Sequence, residues 1–228
     1  QLYEDTNLDS IPDVLIETIS AVSLNAGDSS NVLFNFILNN LQSSRGLFVN
    51  IILSADQDTS NNYFYKTVSP GFPPATIVVN EIMFTPAGGE PEWIELFNTS
   101  SDSINLIDWT VSDIVTTPVS AKINSEVSIP ANGYIVISKD SSIKNYDRLI
   151  PSKLVVINLP SFNNDADGVV LKDDRGSTMD SVRYNSSWGG TSGYSLERIS
   201  VTVNSNLQSN WGSSIDIEQS TPGRVNST

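Results

Sequence analysis

Strand-length apolar runs recur along this chain, and helical periodicity does not. "LFVNIILS", "YFYKTV", "TIVVNEIMF", "EWIELFN", "GYIVIS", "KLVVINL", "DGVVLKD", "MDSVRYN" and "YSLERIS" are each bounded by Gly, Pro, Asn, Asp or Ser, as is "NVLFNFIL" nearer the N-terminus. No long stretch places apolar residues at i, i+3, i+4 and i+7. Runs of this length, punctuated this often, predict an all-β chain built as sandwiches.

Punctuation also divides the chain. "TVSPGFPPATIVVN" sets Pro70, Gly71, Pro73 and Pro74 between two strand runs. Proline gives a sheet no N–H donor, so the segment reads as a stiff linker near residue 75. Two domains are expected, over 1–75 and 76–228. The first is small for a sandwich, so an Ig-like or partial β module is expected there, behind an acidic connector. The parts carry 8 acids against 2 bases and 18 against 10, so charge assigns them no different partners.

Omissions narrow the chemistry sharply. The 228 residues contain no cysteine and no histidine. Disulfides, thiolate or imidazole metal sites, Cys nucleophiles and Ser-His-Asp catalysis are therefore excluded. A net charge of −14 opposes nucleic-acid binding. No apolar run approaches the length of a membrane span, and the polar opening from Gln1 is that expected of a mature or trimmed chain. Carboxylate chemistry, hard-cation binding or no catalysis remain.

"VVNEIMFTPAGGEPEWIELFN" concentrates the surviving question, because Glu81, Glu92 and Glu95 lie close together in it. Strand alternation puts Trp93, Glu95 and Phe97 on one face and Glu92, Ile94 and Leu96 on the other. Ile94 and Leu96 are the expected core pair, Glu92 sits at the wet strand mouth on their side, and Glu95 faces outward. Glu92 and Glu95 thus point apart, whereas a glycosidase pair must converge on one bond. Glu81 opposite Glu95 across the hairpin stays open as a carboxylate pair. The favoured reading is a structural hairpin and no catalytic residue. Arg198 is expected to partner a carboxylate elsewhere, Glu81 or Glu95 being the candidates. Trp109 in "INLIDWTVSD" reads as a core plug. Turns are expected at Ala131–Gly133, with positive φ at Gly133, and at Gly176.

Trp188 in "SSWGGTSGY" and Trp211 in "SNWGSS" lie among small residues. They are candidate ligand contacts if exposed, or lids over the sandwich ends if not. "EDTNLDSIPD" offers calcium ligands at Asp5, Asn7, Asp9 and Asp13, since alternate side chains of a short loop turn inward. It departs from an EF-hand loop at Ser10, where the turn glycine belongs, and at Ile16, where the bidentate Glu belongs. The alternative is an Asx-rich connector. "NNDADG" (Asn163, Asp165, Asp167) and "SADQDTSNN" (Asp56, Asp58) read as solvated acidic turns.

Nine landmarks in order carry a family resemblance over residues 77–228. They are "VVNEIMF", "EWIELFN", "INLIDWTVSD", "IPANGYIVIS", "LPSFNNDADGVVLKDDRG", "MDSVRYNSSWGG", "GYSLERIS", "NWGSS" and "TPGRVN". The set resembles the lamin tail domain in its bacterial secreted or surface form. That resemblance implies an Ig-like β-sandwich without catalytic residues, and no filament-forming heptads accompany it here. "AGDSSNVLFNFIL" and "FVNIILSADQDTSNN", over about 25–68, resemble bacterial cell-adhesion-related Ig-like domains. Together the resemblances imply an extracellular, cell-surface or periplasmic module that is structural, adhesive or protein-binding. Its expected partners are other extracellular domains, surface proteins or a glycan, with no nucleic acid, no membrane insertion and no cofactor unless calcium binds. The alternatives are a carbohydrate-binding module using loop aromatics and an accessory domain of a secreted carboxylate-dependent hydrolase.

Overall fold

In the computed structural model the chain folds as two compact units, Gln1–Gly71 and Phe72–Thr228. Residues 1–37, 44–69, 71–145 and 153–228 are described, which leaves Pro70 of the linker and Leu38 of "NVLFNFIL" outside them. The division falls before the expected residue 75 for a physical reason. Phe72 packs on Trp109 with ring centroids 5.4 Å apart, and the Ala75 N–H donates to the Met179 carbonyl at 2.8 Å. The segment 72–75 is thereby tied into the second unit.

The first unit is one antiparallel sheet of β1 (Leu2–Asp5), β2 (Val14–Glu17), β3 (Arg45–Asn50) and β4 (Tyr63–Val68), in the order β2-β1-β3-β4. Among the described residues it has no second sheet. "NVLFNFIL" forms no strand over residues 31–37, and "LFVNIILS" is strand only as far as Asn50. Among the described residues, Leu2 and Phe48 are its buried apolar side chains. A core this small cannot order a long segment on burial alone.

Asp5 substitutes for part of that missing core. It is fully buried at the end of β1; its Oδ1 accepts the Leu8 N–H at 2.7 Å and its Oδ2 the Ser10 N–H at 2.9 Å. Both donors sit in the left-handed region, at φ 63° and 69°. Ser10 therefore adopts the backbone a glycine would have supplied, held there by the carboxylate. Asp5→Ala is expected to cost this unit about 1–3 kcal/mol, because two part-buried amides lose the buried acceptor that holds their turn. Amide hydrogen exchange across β1 and β3 measures it.

Among the described residues, twelve strands build the second unit. In chain order they are β5 (Ile77–Met83), β6 (Trp93–Asn98), β7 (Ile104–Asn105), β8 (Thr110–Asp113), β9 (Ser120–Lys122) and β10 (Ser128–Ile129). There follow β11 (Tyr134–Ser138), β12 (Leu154–Val156), β13 (Ala166–Lys172), β14 (Thr178–Asn185), β15 (Leu196–Arg198) and β16 (Trp211–Ser213). A six-stranded sheet runs β12-β11-β6-β5-β15-β16, a four-stranded sheet runs β14-β13-β8-β9, and β10 pairs with β7. The main core unites Ile77, Val79, Ile94 and Leu96 of the larger sheet with Val111, Val169 and Val182 of the smaller. This is the expected Ig-like β-sandwich.

Local chemistry explains where the strands stop. "INLIDWTVSD" is two strands because Asp108 turns the chain at φ 66°; Trp109 is buried between the sheets as expected. The 131–133 turn is closed by Asn132 at φ 53°, not by Gly133. Gly133 is required for another reason: a Cβ there would sit 2.9 Å from the Pro130 carbonyl oxygen. Gly176 has the expected positive φ, 81°. Gly168 faces β14 so closely that a Cβ would lie 2.4 Å from the Val182 oxygen and 2.5 Å from Ile114 Cδ1. Gly168→Ala is expected to destabilise the sandwich by about 1–3 kcal/mol, read by urea denaturation, since backbone cannot yield as a side-chain tip can.

Candidate functional site

Three glutamates form a row across three adjacent strands. Glu81 of β5 lies opposite Glu95 of β6 on one side and opposite Glu197 of β15 on the other. Residues directly opposite in a ladder share a face. A bulge at Asn80 makes this register. Ile77 and Val79 point into the core, and strict alternation would send Glu81 after them; the extra residue instead turns Glu81 outward and returns Ile82 and Phe84 to the core. On β6 the expected alternation holds, with Ile94 and Leu96 inward and Glu95 outward.

Outward is not exposed here. Glu81, Glu95 and Glu197 are all fully buried. The C-terminal segment, residues 219–228, lies over this face without forming a strand, and its amides fall on the carboxylates. Glu81 Oε1 accepts the Thr221 N–H at 2.8 Å. Glu95 Oε2 accepts the Gly223 N–H, while its Oε1 accepts from Asn80 Nδ2 at 2.8 Å. Glu197 Oε2 accepts the Ser227 N–H at 2.7 Å and the Thr228 N–H at 3.0 Å. Asn226 fastens the strap further, donating to the Asn80 and Arg198 carbonyls at 3.0 and 2.8 Å. A segment without strand partners thus finds its backbone acceptors in side chains, as buried amides must.

Burial, then the negative charge of Glu197, pushes the Glu81 carboxyl up to about 7 against the restraint of its hydrogen bonds. Burial and the charge of Glu81 hold Glu95 well above the usual carboxylate range. The Thr221 hydroxyl lies 3.2 Å from Glu81 Oε2 and 2.9 Å from Glu197 Oε1 but has one proton to give. A protonated Glu81 resolves the shortage by donating to Thr221, which then donates to Glu197. The row works as a hydrogen-bonding clamp and not as a set of three free anions. Each carboxylate is engaged by the strap, by Asn80 or by Thr221, and no substrate could lie against two of them while the strap is in place.

Arg198 is not the partner of Glu81 or Glu95. Its Nη1 donates to Asp180 Oδ2 at 2.8 Å and to the Val79 carbonyl at 3.1 Å, its Nε to Ser200 O at 3.0 Å and its Nη2 to Val203 O at 2.9 Å. Carried on β15 between Leu196 in the core and the Trp211 ring, it reaches the smaller sheet through Asp180 of β14. Glu92 is half-buried and accepts the Phe162 N–H at 3.1 Å; burial raises its pKa.

Trp211 lies in the core, with its indole N–H donating to Ser205 O at 2.8 Å, so it is a lid and presents no ring to a ligand. Trp188 is half-buried against the same core. In the first unit, the candidate calcium ligands bond to their own loop. Asp13 Oδ2 accepts from Thr6, Asn7 Oδ1 accepts the Asp9 N–H, and Asp9 Oδ1 accepts the Ile11 N–H. No group of three or more His, Cys, Asp or Glu among the described residues is arranged to hold a metal ion. Asp167 likewise accepts from Asn163 and Ile114, and Asp58 from Ser60, as turn-closing groups. Among the described residues no helix is long and apolar enough to cross a membrane.

No curated protein matches the chain. Among solved structures it is similar to a DUF4876 family protein from Bacteroides thetaiotaomicron VPI-5482, at 12% identity and a TM-score of 0.38, over 77% of this chain and 80% of that one. The Lamin Tail Domain family matches residues 70–186, a span from the approach to β5 through β14 that leaves β15, β16 and the strap beyond it. With half of its length matched in this way, the chain belongs to the lamin tail domain family.

Proposed function

We propose that the chain is a non-catalytic structural or adhesive module of a bacterial extracellular or cell-surface protein, the sandwich serving as a rigid body that displays its outer surfaces to surface proteins or a glycan. The observation that carries this reading is the closed acid row. The carboxylates best placed for acid–base work are covered by backbone and committed to amides, whereas a hydrolase would present them to a cleft. The absence of histidine and cysteine from the sequence supports it by removing the other common nucleophiles and bases. Trp211 does not favour the carbohydrate-binding alternative, since its ring is in the core. The test is turnover: the full chain incubated with a panel of polysaccharides and aryl glycosides is expected to release no reducing sugar above a denatured control. Turnover that disappears in a folded Glu95→Gln variant would show the row to be an active site.

A further inference from the structure

The outward face of the four-stranded sheet differs chemically from the rest of the second unit. Its side chains fall in cross-strand rows: Lys122, Thr110, Lys172 and Thr178 in one, and Ser120, Ser112, Val170 and Ser181 in the next, with Arg183 opposite Gly168 beyond them. No acid joins these rows. The three acids on the same strands, Asp113, Asp167 and Asp180, are buried and accept backbone N–H groups. In a unit with 18 acids and 10 bases, strand rows that carry three of those bases and no acid are a marked segregation of charge, the nearest acids being Asp108, paired with Lys122, and the buried Asp113 at the groove edge.

That face is also chemically unspent. Lys122 pairs with Asp108 at 2.7 Å, but the side chains of Thr110, Ser112, Ser120, Ser181, Lys172 and Arg183 make no hydrogen bond or ion pair with another described residue. Elsewhere in the unit Ser, Thr and Asn side chains commonly close turns or cap amides. The six line an open groove of about 480 Å³, completed by Asp113, Ile114, Val115, Pro118 and Val170. Lys172 and Arg183 stand roughly 13 Å apart along the strands, four residues at about 3.4 Å each, with hydroxyls between them.

We propose that this groove binds an acidic polysaccharide, with Lys172 and Arg183 taking carboxylate groups on separate sugar residues and the serine and threonine hydroxyls bonding the sugar hydroxyls between. Charge complementarity selects an anion. A polyol backbone is favoured over an acidic protein because the lining carries no aromatic side chain of the kind around which protein hot spots form, and hydroxyls separate its two unpaired bases. The inference deepens the reading of the chain as a non-catalytic adhesive module and rests on it.

Polygalacturonate is a suitable probe, with dextran as the neutral control and poly-L-glutamate as the acidic-protein control. Calorimetry on the full chain at low salt is expected to show polygalacturonate binding that weakens as salt rises, and none to dextran. K172E/R183E is expected to weaken it at least tenfold, while K66E/K144E, an equal change of net charge on other surfaces, leaves it within about twofold. Ser112→Val, which keeps every charge, is expected to weaken it a few-fold. The proposal is overturned by absence of polygalacturonate binding, by equal loss in both charge-reversal pairs, or by poly-L-glutamate binding as tightly. Each of those leaves the non-catalytic reading standing; cleavage of the probe would instead overturn that reading.

Discussion

Arg198→Met is expected to destabilise the second unit by about 3–5 kcal/mol, the range seen when one member of a buried ion pair is removed. The guanidinium satisfies three carbonyls and one carboxylate in a region where neither Arg198 nor Asp180 has appreciable access to water. Methionine keeps much of the volume and supplies none of the donors. Asp180 would retain the Val79 and Ser181 amides, at 2.9 Å each, and the Ser205 hydroxyl, but no cation to balance its charge. The pair joins β14 of one sheet to β5 and β15 of the other, so its loss loosens the sandwich and not merely one strand. All four tryptophans lie in this unit, so urea denaturation followed by tryptophan fluorescence isolates it from the first unit. Asp180→Asn combined with Arg198→Met should cost less than the sum of the two single changes, because the double variant no longer buries an unpaired charge.

The second large effect is one of pH, and its sign is the reverse of the common carboxylate case. Glu81 has an ordinary value of 4.5 and a folded value of about 7. Below 4.5 both folded and unfolded chains hold the proton, and stability is at its full value. Between 4.5 and 7 the folded state alone holds it, so each pH unit gained lowers stability; above 7 the loss is complete. Glu81 alone corresponds to a fall on the order of 3 kcal/mol. Glu95 and Glu92 move in the same direction. Asp140 and Asp216 are lowered by hydrogen bonds from Ser142 and Arg224, so their contribution is lost only as pH falls below about 4, outside this window. The charged groups facing the row are Lys153, which lowers Glu95, and Arg224, which senses Glu81 and Glu197. The second unit is therefore expected to be more stable at pH 5 than at pH 8. Glu81→Gln should flatten the profile, whereas added salt, which screens general repulsion in an acidic protein, should not.

Much of this architecture was legible in the residues. The apolar runs identified five of the six strands of the larger sheet, missing β16 in "SNWGSS", and Trp109, Ile94 and Leu96 lie in the core as alternation requires. The first unit was harder, because a single sheet with Leu2 and Phe48 as its buried apolar side chains obeys no strong pattern; β1 lies within what reads as an acidic connector. The row of glutamates was half visible. Alternation placed Glu95 outward, and the hairpin suggested Glu81 opposite it. Glu197 belongs to a strand more than a hundred residues away, and burial of the face depends on a strap whose sequence, "STPGRVNST", has no strand signal. The bulge at Asn80 was also hidden, since "VVNEIM" scans as regular strand. That Arg198 partners a carboxylate follows from its strand context, but that the carboxylate is Asp180 follows from the approach of two sheets and not from local spacing.

Protonation of Glu81 beneath the strap is what holds this face closed. It is tested most directly by following the side-chain carboxyl carbon of Glu81 by NMR as pH is raised, with Glu81→Gln identifying the resonance. Titration near 7, accompanied by slow exchange of the Thr221 and Gly223 amides below that pH, is the result expected. A midpoint near 4.5 with rapidly exchanging amides at Thr221 and Gly223 would mean that the face is open to water and the clamp does not exist.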